Sequence, residues 1–152
     1  MTIPDDHLGA LLRAARRSVE EQVLDRLHAA GYPDLRVSHL AVLVWVGEEG
    51  TPQAEITERS GLTAQAVSQV LDDLVARGYL LRRPAEADRR ARTIVWTARG
   101  RVAREVALRV VADLERAYAE RLGERRYATM RRCLAEIGAS RTDTGMFTAP
   151  GS

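Results

Sequence analysis

The chain has 152 residues, of which 45% are hydrophobic and 29% are charged, and its formal net charge is +2. These values are ordinary for one soluble globular protein with a real core, and the single cysteine excludes an intramolecular disulfide. No apolar run reaches the roughly 18 residues of a membrane helix, and the acidic N-terminus lacks the apolar segment of a signal peptide. We therefore expect a cytoplasmic protein with no membrane partner.

Two helices are predicted at the N-terminal end. The first spans residues 5–30, and its apolar stripe comprises Leu8, Leu11, Leu12, Ala15, Val19, Val23 and Leu27. The second, HLAVLVWVG at residues 39–47, is apolar nearly all round, so we expect it to be buried, with Ser38 as its N-cap. Thr51 and Pro52 then introduce a third helix, with proline in the first turn.

A helix, a tight turn and a second helix follow between residues 53 and 78. The first of these helices covers residues 53–59, and Gly61 supplies the positive φ that a sharp turn between helices requires. Thr63 is placed to cap the next helix, and Gly78 ends it. The apolar face of this next helix comprises Val67, Val70, Leu71 and Leu74.

The opposite face of the same helix carries Gln65, Ser68 and Gln69, which are neutral hydrogen-bonding residues. Glutamine can bond in bidentate fashion to the N6 and N7 atoms of adenine. Residues 60–76 contain no arginine and include an acidic pair at 72–73, so this helix supplies little electrostatic affinity. We predict that it docks on DNA by its N-terminal half, where the helix dipole also favours phosphate. A solvated polar helix face is the alternative interpretation.

An arginine-rich β-hairpin is predicted next, with strands at residues 80–83 and 93–97 and a polar tip between them. Residues 77–104 contain nine arginines and two acids, a net charge of +7 in a chain whose total is +2. The chain has no lysine, so every phosphate contact would be made by a planar, bidentate guanidinium. This one-sided charge favours DNA as the partner.

Two helices are predicted at the C-terminal end. Thr97 caps a helix over residues 98–122, which would be about 37 Å long, and Gly123 separates it from a last helix over residues 124–137. Residues 141–152 are rich in Gly, Ser, Thr and Pro, which predicts a disordered tail. The long helices carry more apolar surface than one small domain can cover, so we expect a homodimer, with a closed intramolecular bundle as the alternative.

Several of these segments resemble the winged helix-turn-helix of the MarR (multiple antibiotic resistance regulator) family of bacterial transcription factors. The matching segments are Ser60-Gly61-Leu62, Gln65-Ala66-Val67-Ser68, Leu74 with Gly78-Tyr79, and Asp88-Arg89-Arg90-Ala91 leading to Val95-Trp96-Thr97 and Gly100. Trp96 stands where the family usually has leucine.

The resemblance implies a mainly α fold with a small β-hairpin wing, flanked by N- and C-terminal dimerisation helices. The corresponding domains are an N-terminal dimerisation helix at 1–34, the DNA-binding domain at 35–100, C-terminal dimerisation helices at 101–140 and the tail at 141–152. The family members are two-fold dimers that place two recognition helices in successive major grooves, and most are repressors. Many respond to small phenolic or other aromatic effectors that bind near the junction of the two regions.

The expected DNA-binding residues fall into two groups. In the recognition helix, Thr63 and Ser68 position phosphates while Gln65 and Gln69 read bases. In the wing, the resemblance implies that Arg90 enters the minor groove and that Asp88 braces the wing, and we expect Arg89 and Arg92 to bind the flanking backbone.

Other functions have weaker support. A winged helix can also serve as a protein-interaction module without DNA binding. Cys133, flanked by two arginines, would suit a thiol-based redox regulator, although we favour a buried structural thiol. We also favour His39 as a satisfied core histidine and Trp45 as a packing residue rather than as ligand contacts. The chain has no GxSxG, P-loop or HExxH motif and no zinc spacing, so we expect no enzyme activity, cofactor or metal.

Overall fold

The computed structural model describes residues 7–84 and 92–139. These residues form, in order, α1 (Leu8–Ala29), α2 (Val37–Leu43), β1 (Thr51–Pro52), α3 (Gln53–Ser60), α4 (Ala64–Ala76), β2 (Leu80–Pro84), β3 (Arg92–Trp96), α5 (Ala98–Leu122) and α6 (Glu124–Ala139). They fall into two compact units, one ending at Val111 and the other beginning at Ala112, both within the course of α5. The mainly α fold with a small β-wing is therefore confirmed.

The sheet has three antiparallel strands in the order β1-β3-β2, so β3 is central. Thr51 lies opposite Ile94, and Leu80 lies opposite Trp96. The prediction of two strands was incomplete because a two-residue strand is too short to show an alternating pattern. Pro52 is tolerated there because β1 is an edge strand, where a missing N–H leaves no gap in the ladder.

The helix-turn-helix agrees closely with its prediction. Gly61 has a φ of 67° and ends α3, and Gly78 has a φ of 74° just after α4. The side chain of Thr63 caps α4 by accepting a hydrogen bond from the N–H of Ala66 at 3.1 Å. Each of these features involves residues close together in the chain, which is why the sequence could predict them.

Helix α2 differs from its prediction in two ways. Its N-cap is Arg36 rather than Ser38, and the Arg36 N–H donates to Nδ1 of His39 at 3.1 Å. The burial all round that was expected for residues 39–47 is also wrong, since Val44 is 70% exposed. The composition of a seven-residue helix does not reveal which of its faces meets the core.

The core of the first unit lies between the helix-turn-helix and the sheet. Its completely buried apolar side chains are Val42, Ile56, Val67, Leu71, Leu74, Tyr79, Leu80 and Ile94. Strand β3 does not alternate between buried and exposed residues as a strand with one solvent-facing side would, because Ile94, Val95 and Trp96 are all buried. The indole N–H of Trp96 donates to the carbonyl oxygens of Gly47 at 3.0 Å and Val46 at 3.2 Å. The leucine usual at this position could not make these bonds.

The two C-terminal helices begin and break where predicted. The hydroxyl of Thr97 accepts a hydrogen bond from the N–H of Gly100 at 2.9 Å, and Gly123 has a φ of 85° between the helices. Helix α6 continues to Ala139, two residues beyond the predicted end, and none of its residues is buried. Its exposed apolar side chains include Met130, Leu134 and Ile137.

The described residues offer neither a membrane-spanning helix nor a cluster of metal-binding side chains. None of the helices there combines the length and the apolar character needed to cross a membrane. No group of three His, Cys, Asp or Glu side chains in those ranges is arranged to hold a metal ion.

Helix α5 passes very close to the end of α4 at Gly100. A Cβ built on Gly100 would collide with the carbonyl oxygen of Tyr79 and would lie 2.9 Å from the Trp96 ring. The Tyr79 carbonyl is itself fixed, because it accepts the N–H of Thr97 at 3.1 Å. The crossing therefore requires glycine because there is no room for a side chain.

We predict that Gly100→Ala lowers the free energy of unfolding by about 1–3 kcal/mol or more, because the clash is with backbone that cannot move freely. Gly138→Ala is the matched control, since nothing lies within 4 Å of a Cβ there and alanine favours a helix by about 0.5–1 kcal/mol. Urea unfolding followed by circular dichroism measures both. A Gly100→Ala variant as stable as the native protein would contradict the requirement for glycine.

Candidate nucleic-acid interface

The N-terminal half of α4 presents its polar residues outward. Gln65 and Gln69 are exposed and Ser68 is half-buried, while Val67 and Leu71 on the opposite face are completely buried. The buried face fixes which way the helix lies against the core. Two amides are therefore free to meet a partner side by side, as reading base edges would require.

The hairpin is attached to α4 through Arg82 on β2. Its guanidinium pairs with Asp72 and also donates to the Ser68 carbonyl oxygen at 3.4 Å. Arg83 and Arg92, at the ends of the described strands, are exposed. Asp88, Arg89 and Arg90 lie outside the described residues, so their predicted roles stay predictions. The described contacts nevertheless place the start of the arginine-rich hairpin beside α4.

The acidic end of α4 is neutralised within the protein. Asp73 Oδ2 lies 2.8 Å from His39 Nε2 and 2.9 Å from Arg77 Nε. The Arg77 guanidinium and, to a smaller extent, His39 hold the pKa of the Asp73 carboxyl below its ordinary value. With Asp72 paired to Arg82, neither acid of the helix faces a DNA phosphate as an uncompensated negative charge.

A second polar cluster surrounds the side chain of Tyr79. The Tyr79 hydroxyl donates to Asp34 Oδ1 at 2.6 Å and accepts from Arg99 Nη2 at 3.0 Å. Arg99 also pairs with Asp34 at 3.2 Å and lies over the Tyr79 ring, 4.4 Å from its centroid. Burial, and then the nearby Asp34 carboxylate, raise the pKa of Tyr79 to about 12. The hydrogen bond from Tyr79 holds the pKa of Asp34 below its ordinary value.

The first unit also contains a cavity of about 550 Å³ that the sequence did not reveal. Its wall is mainly apolar and includes the aromatic residues Trp45, Tyr79 and Trp96, with Arg16, Glu20 and Arg104 as the charged residues. Arg16 is paired with Glu20 at 2.7 Å. Arg104 is half-buried and has no ion-pair or hydrogen-bond partner within the described part of the chain.

The cavity is lined by residues that precede α4 in the chain and by residues that follow it. Ser60 and Leu62 belong to its wall and precede the Thr63 cap, while Tyr79 follows the end of the helix. The guanidinium of Arg59, in α3, lies over the Trp45 ring at 4.8 Å from the ring centroid. An occupant of the cavity would thus contact segments that determine where α4 begins and ends.

His39, Trp45 and Cys133 lie in three different environments. His39 is a core histidine, 2% exposed with both ring nitrogens bonded, as predicted. Trp45 does more than pack, since it lines the cavity. The prediction that Cys133 is buried was wrong, because this thiol is exposed on α6. Its apolar neighbours Met130 and Leu134 suggested burial, but they too are exposed in the described chain.

Comparison with known proteins agrees with this geometry. The profile of the MarR family matches residues 34–91, from Asp34 of the Tyr79 cluster to the residue before strand β3. Residues 34–91 thus resemble the MarR family of transcriptional regulators. Curated protein sequences gave no significant match.

Solved MarR-family structures resemble the chain over most of its length. The transcriptional repressor CouR bound to a 23-mer DNA duplex is 26% identical with a TM-score of 0.71, and the match covers 91% of this chain and 99% of CouR. A MarR-family regulator from Rhodococcus sp. RHA1 is 28% identical with a TM-score of 0.71, covering 90% and 96%. CouR from Rhodococcus jostii RHA1 bound to p-coumaroyl-CoA is 26% identical with a TM-score of 0.68, covering 98% and 100%.

The sequence did not predict the residues that hold this candidate site together. Asp34, Arg77 and Arg99 come from separate elements and join only around Tyr79. The one available signal was the acidic pair at residues 72–73 in a helix expected to face DNA, which required compensating cations somewhere in the fold.

We predict that Asp34 makes stability depend on acid pH. Its folded pKa lies below the ordinary 3.8, so its contribution is complete above that value and is lost as pH falls through the folded pKa. Asp34→Asn and Tyr79→Phe should both flatten the loss of thermal stability below about pH 4, measured by circular dichroism.

Tyr32→Phe is the control for this measurement. The Tyr32 ring packs near that of Tyr79, with 6.1 Å between the centroids, but no hydrogen bond joins its hydroxyl to the cluster. If Asp34→Asn and Tyr79→Phe both kept the native acid profile, the cluster would not be the source of the pH dependence.

Proposed function

We propose that this protein is a ligand-responsive transcriptional repressor that binds a palindromic operator in double-stranded DNA as a homodimer. The observation that carries the proposal is the outward polar face of α4 beside the arginine-rich hairpin. CouR, bound to a DNA duplex in one solved structure, resembles this chain over nearly its whole length. The chromosome lies in the bacterial cytoplasm, which is therefore the proposed compartment.

In the proposed complex, one set of residues recognises the base sequence and another supplies affinity for the DNA backbone. Gln65 and Gln69 read base edges in the major groove, and Thr63 and Ser68 position phosphates at the start of α4. Arg92, together with Arg89 and the tip residue Arg90 braced by Asp88, holds the wing on the minor groove and the adjoining backbone. The acids of α4 are engaged within the protein, so they do not oppose this docking.

The homodimer is supported by apolar side chains that the chain itself leaves uncovered. On α1 they are Leu8 and Leu11, each more than half exposed, and on α6 they are Met130, Leu134 and Ile137. Unpaired apolar faces on both terminal helices favour burial against a second copy. A two-fold dimer would place its recognition helices about 34 Å apart, matching half-sites about 10 base pairs apart.

The effector proposal rests on the cavity. Its volume suits a small aromatic molecule, and three aromatic side chains line it. Arg104 supplies a guanidinium that has no partner among the described residues and lies in a mainly apolar wall. We therefore propose that the effector carries an anionic group that pairs with it. Occupancy would act on DNA binding through Ser60 and Leu62, which lead into α4.

We predict two distinct effects on DNA binding, measured by fluorescence anisotropy on duplexes selected from a random library. Gln69→Ala should change the preferred base at one position in each half-site and should cost about 1–3 kcal/mol there. Arg90→Ala should instead weaken binding to all sequences alike and reduce the salt slope by about 1 per subunit. If the dimer neutralises about 6–10 phosphates, native affinity should fall about 10³–10⁵-fold between 50 and 200 mM salt.

The same selection distinguishes the rival function. A winged-helix module that binds only proteins would show no affinity for any duplex at 50 mM salt. Unchanged base preference in both Gln65→Ala and Gln69→Ala would show that α4 does not read the sequence.

We also predict that aromatic carboxylates bind better than the corresponding neutral amides. Benzoate, cinnamate and 4-hydroxycinnamate, each paired with its amide, can be titrated while following tryptophan fluorescence, since both tryptophans of the chain line the cavity. The acid should bind about tenfold more tightly, the effect of one charge-assisted hydrogen bond, and Arg104→Gln should abolish the difference.

Arg109→Gln is the matched control, because Arg109 lies on the same helix, is exposed, and pairs with Glu105 instead of lining the cavity. It should keep the native preference for the acid. Equal binding of acids and amides to the native protein would contradict the role of Arg104.

A further inference from the structure

His39 is a buried histidine whose two ring nitrogens have different partners. Nδ1 accepts the N–H of Arg36 at 3.1 Å, so it carries no proton. The proton therefore lies on Nε2, which donates to Asp73 Oδ2 at 2.8 Å. The neutral ring uses both nitrogens at once and joins the start of α2 to the recognition helix α4.

Asp73 lies one turn after Gln69 on α4, at the flank of the buried face. The opposite flank carries Asp72, which pairs with Arg82 of strand β2. The helix is thus held by a directional polar contact on each side of its apolar face, one to α2 and one to the wing. These two contacts resist rotation of α4 about its own axis in both senses.

Apolar packing fixes which face of α4 is buried, but the hydrophobic effect has no preferred direction, so directional polar contacts define the helix rotation more finely. A rotation of about 10° moves side-chain ends at a radius of about 5–6 Å by about 1 Å. A displacement of that size breaks a bidentate contact to a base, which requires placement within about 0.5 Å. Base reading by Gln65 and Gln69 therefore depends on what fixes the helix rotation.

We propose that Asp73 and His39 are positioning residues for DNA recognition, whose mutual hydrogen bond fixes the rotation of α4 so that its glutamines meet the base edges. The inference rests on the proposed DNA-binding function and extends it to residues that touch no DNA. The bond contributes to sequence preference, whereas the wing arginines supply the affinity common to all duplexes.

Two substitutions of His39 separate its two contacts. His39→Asn places a carbonyl oxygen near the position of Nδ1, so it can still accept the Arg36 N–H, but it is too short to reach Asp73. His39→Gln places an amide N–H near the position of Nε2, so it can still donate to Asp73 while it loses the contact with Arg36. Both are neutral and polar, so each is the control for the other.

The readout is the ratio of affinity for a selected duplex to affinity for a random duplex, measured at one salt concentration. We expect His39→Asn to lower this ratio about tenfold, the effect of losing one hydrogen bond to a charged group, while binding to random duplex and the salt slope stay native. His39→Gln should keep the ratio within about threefold of native. Thermal unfolding of each variant reports the folded fraction, which a purely structural role would reduce along with both affinities.

A double-mutant cycle tests the bond itself. Asp73→Ala should lower the ratio at least as much as His39→Asn does, because it also removes the ion pair with Arg77. The double variant should be no worse than Asp73→Ala alone, because both lack the bond to His39. Additive losses would overturn the proposal, as would a native ratio in His39→Asn or equal losses in His39→Asn and His39→Gln. Failure of the native protein to bind any duplex would overturn the proposed function and this inference together, whereas the other outcomes leave DNA binding intact.

Discussion

Tyr79 makes the hydrogen bonds that connect α4, the start of α5 and Asp34 in the first unit. Its backbone N–H donates to Leu74 at the end of α4, and its carbonyl accepts from Thr97 at the start of α5. Its hydroxyl donates to Asp34, and α5 crosses its carbonyl at Gly100. Helix α4, the sheet and α5 are therefore fixed around one completely buried side chain, which also forms part of the cavity wall.

The charges of the first unit follow from the same arrangement. The acids of α4 would repel phosphate if they were free, yet Asp72 is paired with Arg82 and Asp73 with Arg77 and His39. These pairs compensate the negative charge of the two acids. They also attach α4 to α2 through His39 and to β2 through Arg82. The remaining arginines of the hairpin add positive charge to a segment that follows this helix directly in the chain.

The cavity is lined by residues that flank helix α4 directly in the chain. Ser60 and Leu62 precede α4 and Tyr79 follows it, and all three line the cavity. Because protein interiors are close-packed, an occupant that displaces these residues must shift an end of the helix as well. Coupling between an effector and DNA would then need no moving part beyond α4 and the segments that flank it.

The sequence by itself determined the local features of this protein, while the tertiary structure decided the contacts between distant residues. The Thr63 cap, the turn at Gly61 and the bounds of α5 depend on neighbours within a few residues, so composition and spacing predicted them. The pairing of β1 with β3, the bond between His39 and Asp73 across 34 positions, and the cavity did not follow from any spacing rule. Such contacts exist only once helices and strands pack, because packing brings together polar groups that the chain itself holds far apart.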